Sequence, residues 1–196
     1  MIDTNHITEE CRKGNREAMK MLYERYSAKL LMVCRRYASC NDEAQDWLHE
    51  GWLKVFDTIQ NYRGDGAIEG WLYIIMKNTA LEMLKKQQKL KFSQIEDDGN
   101  YINDIHEGEF EELLDTYSVD VLLETMQLLS PQYKVVLNLY VVDNLSHKEI
   151  ASQLGISENT SKSNLNRARK QLIEILRNKM RTDKNKNLRL ANLYIK

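Results

Sequence analysis

Ser146-His147-Lys148-Glu149-Ile150-Ala151-Ser152-Gln153-Leu154-Gly155-Ile156-Ser157 is the stretch of this 196-residue chain whose reading decides the fold. Ser146 and Glu149 stand three residues apart, the spacing of a capping box, in which each side chain satisfies the other's free backbone N–H at a helix start. Ile150 and Leu154 give the short helix one apolar face. Ala151 is small enough for a second helix to approach closely. Gly155 supplies the left-handed residue that ends the helix, and Ser157 caps the next one. Helix, tight turn and helix in this order make a helix-turn-helix.

Working outward, Leu165, Ala168, Leu172 and Leu176 recur at helical spacing and form the buried stripe of the second helix. The stripe leaves Asn159, Lys162, Ser163, Asn166, Arg169 and Lys170 for the opposite face, with Arg167 beside them. Asn can bond adenine and Arg guanine in the major groove, each good bidentate pair discriminating by about 1–3 kcal/mol. Ser157, Thr160 and the helix N-terminus suit phosphate. The plain alternative is a solvated basic helix, and the turn ahead of it argues against that. Upstream, Ser118 is placed to cap a helix running to about Leu129. Ser130-Pro131 restarts one with serine at the cap and proline at its first position, and Val135, Val136, Leu139 and Tyr140 supply its buried face.

Further back, charge segregates. Between Phe92 and Glu124 lie Glu96, Asp97, Asp98, Asp104, Glu107, Glu109, Glu111, Glu112, Asp115, Asp120 and Glu124 with no Lys or Arg, although the net charge of the whole chain is only −1. Most of that stretch is read as a linker. Lys77, Lys85, Lys86, Lys89 and Lys91 precede it, so two basic ends flank an acidic middle.

The N-terminal part holds three amphipathic patterns: Met19, Leu22, Tyr26, Leu30, Val33 and Tyr37; Ala44, Leu48, Trp52, Val55 and Ile59; and Ile68, Leu72, Ile75, Thr79 and Met83. Breaks fall at Ser39-Cys40-Asn41-Asp42 and at Asn61-Tyr62-Arg63-Gly64-Asp65-Gly66. Trp71, Tyr73, Lys77, Asn78, Lys85 and Lys86 put aromatic and cationic groups on one helix beside that glycine-bearing loop. Aromatics stack on unpaired bases at roughly 1–3 kcal/mol each. Trp47 and Trp52 are read as core residues of the bundle, whereas Trp71 stands equally for core or for stacking.

The expectation is therefore an all-α protein of two small helical domains joined by an acidic linker: residues 1–92, a linker over 93–117, a helix-turn-helix domain over 118–181, and a basic tail over 182–196. Proline occurs once, glycine eight times, and helix formers dominate. No apolar run approaches the roughly 20 residues of a membrane helix, and the first residues lack signal-peptide character, which places the chain in the cytoplasm. Cys11, Cys34 and Cys40 form no CxxC pair and read as reduced thiols, with redox pairing of Cys34 and Cys40 the alternative. His6, His49, His106 and His147 are scattered, with His106 and His147 read as surface residues, and Asp97-Asp98-Gly99-Asn100 lacks calcium-loop spacing. With no HExxH, nucleophile elbow or phosphate loop, neither an enzyme nor a metal or other cofactor is expected.

The residues now quoted carry a family resemblance. Asp46-Trp47-Leu48-His49-Glu50-Gly51-Trp52-Leu53-Lys54-Val55-Phe56, then Gly70-Trp71-Leu72 and Asn78-Thr79-Ala80-Leu81, resemble the second conserved region of bacterial sigma factors. Leu129-Ser130-Pro131, the capping-box helix through Ser163, and Arg167-Ala168-Arg169 are similar to the fourth region. Two regions and a short linker look like the extracytoplasmic-function group. The resemblance implies that Asp46, His49 and Glu50 grip the RNA polymerase core enzyme, the family often having Gln where His49 stands. It implies that Arg63, Gly64, Asp65, Trp71, Tyr73, Lys77, Asn78, Lys85 and Lys86 read and melt the −10 element of promoter DNA. It further implies that the helix after Ser157 reads the −35 element, and that an anti-sigma partner, in this group often at the inner membrane, regulates the factor. The acidic linker would suit the polymerase's basic RNA channel. The competing reading is a helix-turn-helix repressor or activator with an N-terminal sensor, and the Trp71 to Lys91 block argues against it.

Overall fold

The computed structural model describes residues 4–64, 66–87, 92 and 107–194, and among these helix is the only regular structure. Two compact units divide the chain, residues 1–90 and 91–196.

The first unit contains α1 (Thr4–Arg12), α2 (Arg16–Arg35), α3 (Asn41–Thr58), a 3-10 turn (Ile59–Asn61) and α4 (Ile68–Lys86). Asn15 starts α2 by accepting the backbone N–H groups of Glu17 and Ala18 at 3.0 and 3.3 Å, satisfying donors that a helix start leaves free. α2, α3 and α4 pack pairwise around one core. Leu22, Tyr26, Leu30, Val33 and Tyr37 are buried as the periodicity predicts, as are Ala44, Leu48, Trp52, Val55 and Ile59, and Trp47 joins them. On α4 the buried arc is wider than the expected stripe. Met76, Ala80 and Leu84 are fully enclosed while Ile75 and Met83 are half-buried, because this helix faces α2 and α3 at once. α1 was not foreseen. It contributes Ile7 and Cys11 to the core and packs on α2.

Burial pushes the Cys34 thiol up to about 12 and the Cys11 thiol to about 11, so both stay protonated, while Cys40 is exposed at the cap of α3. Cys34 is therefore no redox partner for Cys40 without local opening.

The second unit holds α5 (Glu107–Thr116), α6 (Val119–Gln127), α7 (Pro131–Leu137) with a π-helical turn (Asn138–Val142), α8 (His147–Leu154) and α9 (Glu158–Tyr194). The stretch read as a linker is thus helical from Glu107 onward, and Phe110 is buried at 2% exposure. An acidic helix that its charge alone marked as a tether packs on α9 with Phe110 buried. Residues 93–106 of the expected linker lie outside the described residues, as does His106. Ser130 caps α7 by position without a side-chain hydrogen bond, and Pro131 follows at the helix start. Val135, Val136 and Leu139 are fully enclosed, and the backbone of α9 stays helical through the expected tail to Tyr194.

Among the described residues no helix is long and apolar enough to cross a membrane, and no group of three or more His, Cys, Asp or Glu could hold a metal ion.

Candidate nucleic-acid interface

Both halves of the capping box form. The Ser146 hydroxyl accepts the Glu149 N–H at 3.3 Å, and the Glu149 carboxylate accepts the Ser146 N–H at 2.8 Å and its hydroxyl at 2.6 Å. These bonds hold the Glu149 carboxyl below its usual range. Gly155 takes φ +70, ψ 39, the left-handed conformation the turn requires, and both its N–H and that of Ile156 reach the Ala151 carbonyl. Ser157 accepts the Thr160 N–H at 3.0 Å, and the two hydroxyls lie 2.8 Å apart, so this pair is first a helix cap.

On α9, Leu165, Ala168, Leu172 and Leu176 form the buried stripe as expected. Asn159, Lys162, Arg167 and Lys170 are exposed and Asn166 is half-buried. Two residues expected on that face are elsewhere. Ser163 is buried at 3%, its hydroxyl donating to the Asn159 carbonyl one turn back at 2.9 Å. Arg169 is half-buried, its guanidinium 5.2 Å from the Phe110 ring centre and 5.4 Å from that of Tyr140. A guanidinium between two rings gains cation–π attraction and covers apolar surface with its stem. The stripe predicted by spacing is correct; neighbours from α5 and the π turn close over its edge.

His147 differs from the sequence reading as well. It is half-buried, stacked on Tyr140 with centroids 4.9 Å apart, and its Nδ1 lies 2.9 Å from the hydroxyl of fully buried Ser161 on α9. Burial, and then the positive charges of Lys162 and Arg169, hold it below the ordinary imidazole value.

In the first unit, the segment after the 3-10 turn leads through Arg63, Gly64 and Gly66, all exposed, into α4, while Asp65 lies outside the described residues. Gly64 and Gly66 have φ +81 and +149, where side chains are strained, which explains glycine at both. Trp71 is half-buried with its ring centre 5.4 Å from that of Tyr62, so it is neither wholly core nor wholly free. Tyr73 is half-buried. Its hydroxyl accepts from Arg36 Nη2 at 3.0 Å, and Lys77 Nζ sits 5.7 Å from its ring centre. Asn78, Lys85 and Lys86 are exposed along the same helix. Sequence reasoning missed Arg36 and Tyr62. Arg36 lies at the end of α2, 37 positions from Tyr73, and no local pattern links them.

On α3, Asp46, His49 and Glu50 are exposed. Leu53 lies one turn further along that face and is 66% exposed, on a helix where Trp47, Leu48, Trp52 and Val55 are buried and Phe56 is half-buried. This face of α3 therefore presents two carboxylates, an imidazole and one exposed leucine to solvent.

Comparison with known proteins gives two family matches in one chain: Sigma-70 region 2 over residues 22–90 and Sigma-70, region 4 over residues 120–172. The chain is 28% identical over 182 residues to the ECF RNA polymerase sigma-E factor of Haemophilus influenzae, covering 89% of this chain and 93% of that protein. It is 27% identical over 170 residues to the ECF RNA polymerase sigma-E factor of Escherichia coli K12, covering 83% and 88%. Similar solved structures include the sigma factor RpoE with the anti-sigma factor NepR from Bartonella quintana (16% identity, 81% of this chain, 96% of that chain, TM-score 0.48). Another is CnrH with the cytosolic domain of CnrY (18% identity, 89% and 97%, TM-score 0.46).

Proposed function

The chain belongs to the extracytoplasmic-function group of RNA polymerase sigma factors and is a promoter-directing transcription initiation factor, and from that premise we propose how its residues divide the work. The observation that carries the proposal is the presence of both sigma-70 matches, in order, on the two units of one chain.

The α3 stripe of Asp46, His49, Glu50 and Leu53 docks on the polymerase core enzyme. Charged groups there set approach and register, and Leu53 supplies apolar area at the centre. Arg63 and Gly64 of the loop and Trp71, Tyr73, Lys77, Asn78, Lys85 and Lys86 of α4 take the −10 element as single strand. On α9, Asn159, Lys162, Asn166, Arg167 and Lys170 face the −35 element, with Ser157 and Thr160 at the phosphate backbone. Ser163 and Arg169 act behind that face, by packing.

Opening then follows from differential binding. A loop that accepts an extruded base and a helix that offers aromatic and cationic groups bind unpaired DNA better than duplex, and this difference offsets the cost of unstacking. The factor needs no catalytic group of its own. It acts in the cytoplasm, where the polymerase is, and an anti-sigma protein is the expected inhibitory partner.

Run-off transcription with core polymerase tests the assignment. Promoter-specific transcripts that weaken with Asp46→Ala/Glu50→Ala support it. Tight duplex binding with no polymerase-dependent transcript would instead describe a repressor or activator.

A further inference from the structure

We propose that the Tyr62 hydroxyl is a positioning group for promoter opening: it straps the 62–66 loop into the shape that receives an extruded base. The inference rests on the reading of that loop given above and adds a residue that neither the sequence patterns nor that reading assigned.

Three observations place the strap. The Tyr62 hydroxyl donates to the Gly66 carbonyl at 2.5 Å, closing a ring four residues wide. The Tyr62 ring is itself anchored, its centre 5.4 Å from that of Trp71 at 45°, and its backbone N–H donates to the Ile59 carbonyl at 3.2 Å. The loop springs from two buried residues, Ile59 at 1% exposure and Ile68 at 4%, so its ends cannot wander.

Between those ends Arg63, Gly64, Gly66 and Ala67 are exposed, and both glycines sit at positive φ with nothing within 4 Å of where a Cβ would stand on either. Crowding therefore does not hold the loop in place. Glycines are the residues with the most conformers to lose, and an untied loop would have to be ordered by the base when it arrives. A strap made before binding removes that cost from the binding step. The hydroxyl and the ring have separable duties: the ring packs on Trp71, and only the hydroxyl reaches Gly66.

Tyr62→Phe isolates the hydroxyl. Holoenzyme carrying wild-type protein or Y62F is titrated against pre-melted promoter fragments labelled for anisotropy, in a series with an abasic site stepped through the −10 element. Wild-type binding should fall at one abasic position, which marks the received base. With that base present Y62F should bind about 3- to 10-fold more weakly, the range for one lost hydrogen bond, and with it absent the two proteins should bind alike. Equal loss on every fragment means a general structural effect and overturns the strap, as does no loss on any. If no abasic position weakens the wild type, the loop does not receive a base, and the reading beneath the proposal fails instead.

Discussion

Gly51 of α3 leaves no room for a side chain against Met76 of α4, and Gly51→Ala tests how firmly the two helices are packed. A Cβ built there lies 2.2 Å from Met76 Sδ and 2.9 Å from its Cε. Methionine ends are flexible, but Met76 is 0% exposed and has nowhere to swing without moving the core. Replacing a mid-helix glycine by alanine favours the helix by about 1 kcal/mol. Overpacking a tight core costs about 1–3 kcal/mol, so the net expectation is a destabilisation of up to roughly 2 kcal/mol. Met76→Ala alone should cost about 2–5 kcal/mol through the cavity it leaves. In the double variant the new methyl occupies part of the vacated space, and the pair should cost less than the sum by on the order of 1–2 kcal/mol. The chain's three tryptophans, Trp47, Trp52 and Trp71, all lie in the first unit, so urea unfolding followed by tryptophan fluorescence reads that unit alone. A stabilised Gly51→Ala, or a cycle additive within about 0.5 kcal/mol, would refute the reasoning, since either means that Met76 yields freely.

Three further outcomes are expected. With an aromatic disulfide reagent under native conditions, Cys40 should react at once and Cys11 and Cys34 only on unfolding; rapid labelling of more than one thiol would contradict their burial. His147 has a folded pKa below its unfolded value, so its contribution to stability is complete above the ordinary imidazole range and is lost as pH falls through the folded value. Protection factors of the α8 backbone amides, taken against the intrinsic exchange rate at each pH, should therefore fall on acidification from neutral pH, and His147→Gln should flatten that dependence; an unchanged slope counts against the mechanism. Phe110→Ala should free α5, raising amide exchange over residues 107–116 by at least tenfold, because burying an aromatic side chain is worth about 2–3 kcal/mol; unchanged protection would mean that other contacts hold the helix.

Local chemistry, readable along the chain, accounts for the helical class and for the turn of the DNA-binding motif. A capping box, a left-handed glycine and a serine cap act within five residues of themselves, and a 3.6-residue stripe needs only its own helix. The same locality identified the core of α2 and α3 and the candidate residues on α9 that remain exposed. Packing between elements settled the rest. Arg169 left the exposed face because Phe110 of α5 and Tyr140 of the π turn meet its guanidinium, and Ser163 is buried with its hydroxyl turned back to the Asn159 carbonyl. His147 left the surface because Ser161 and Tyr140 meet it from 14 and 7 positions away. α4 widened its buried arc because two helices flank it, and part of the acidic run is a helix that packs on α9 with Phe110 buried. Periodicity reports which side of a helix is apolar. How far a neighbour reaches around that side depends on contacts distant in sequence, and only the assembled fold contains them.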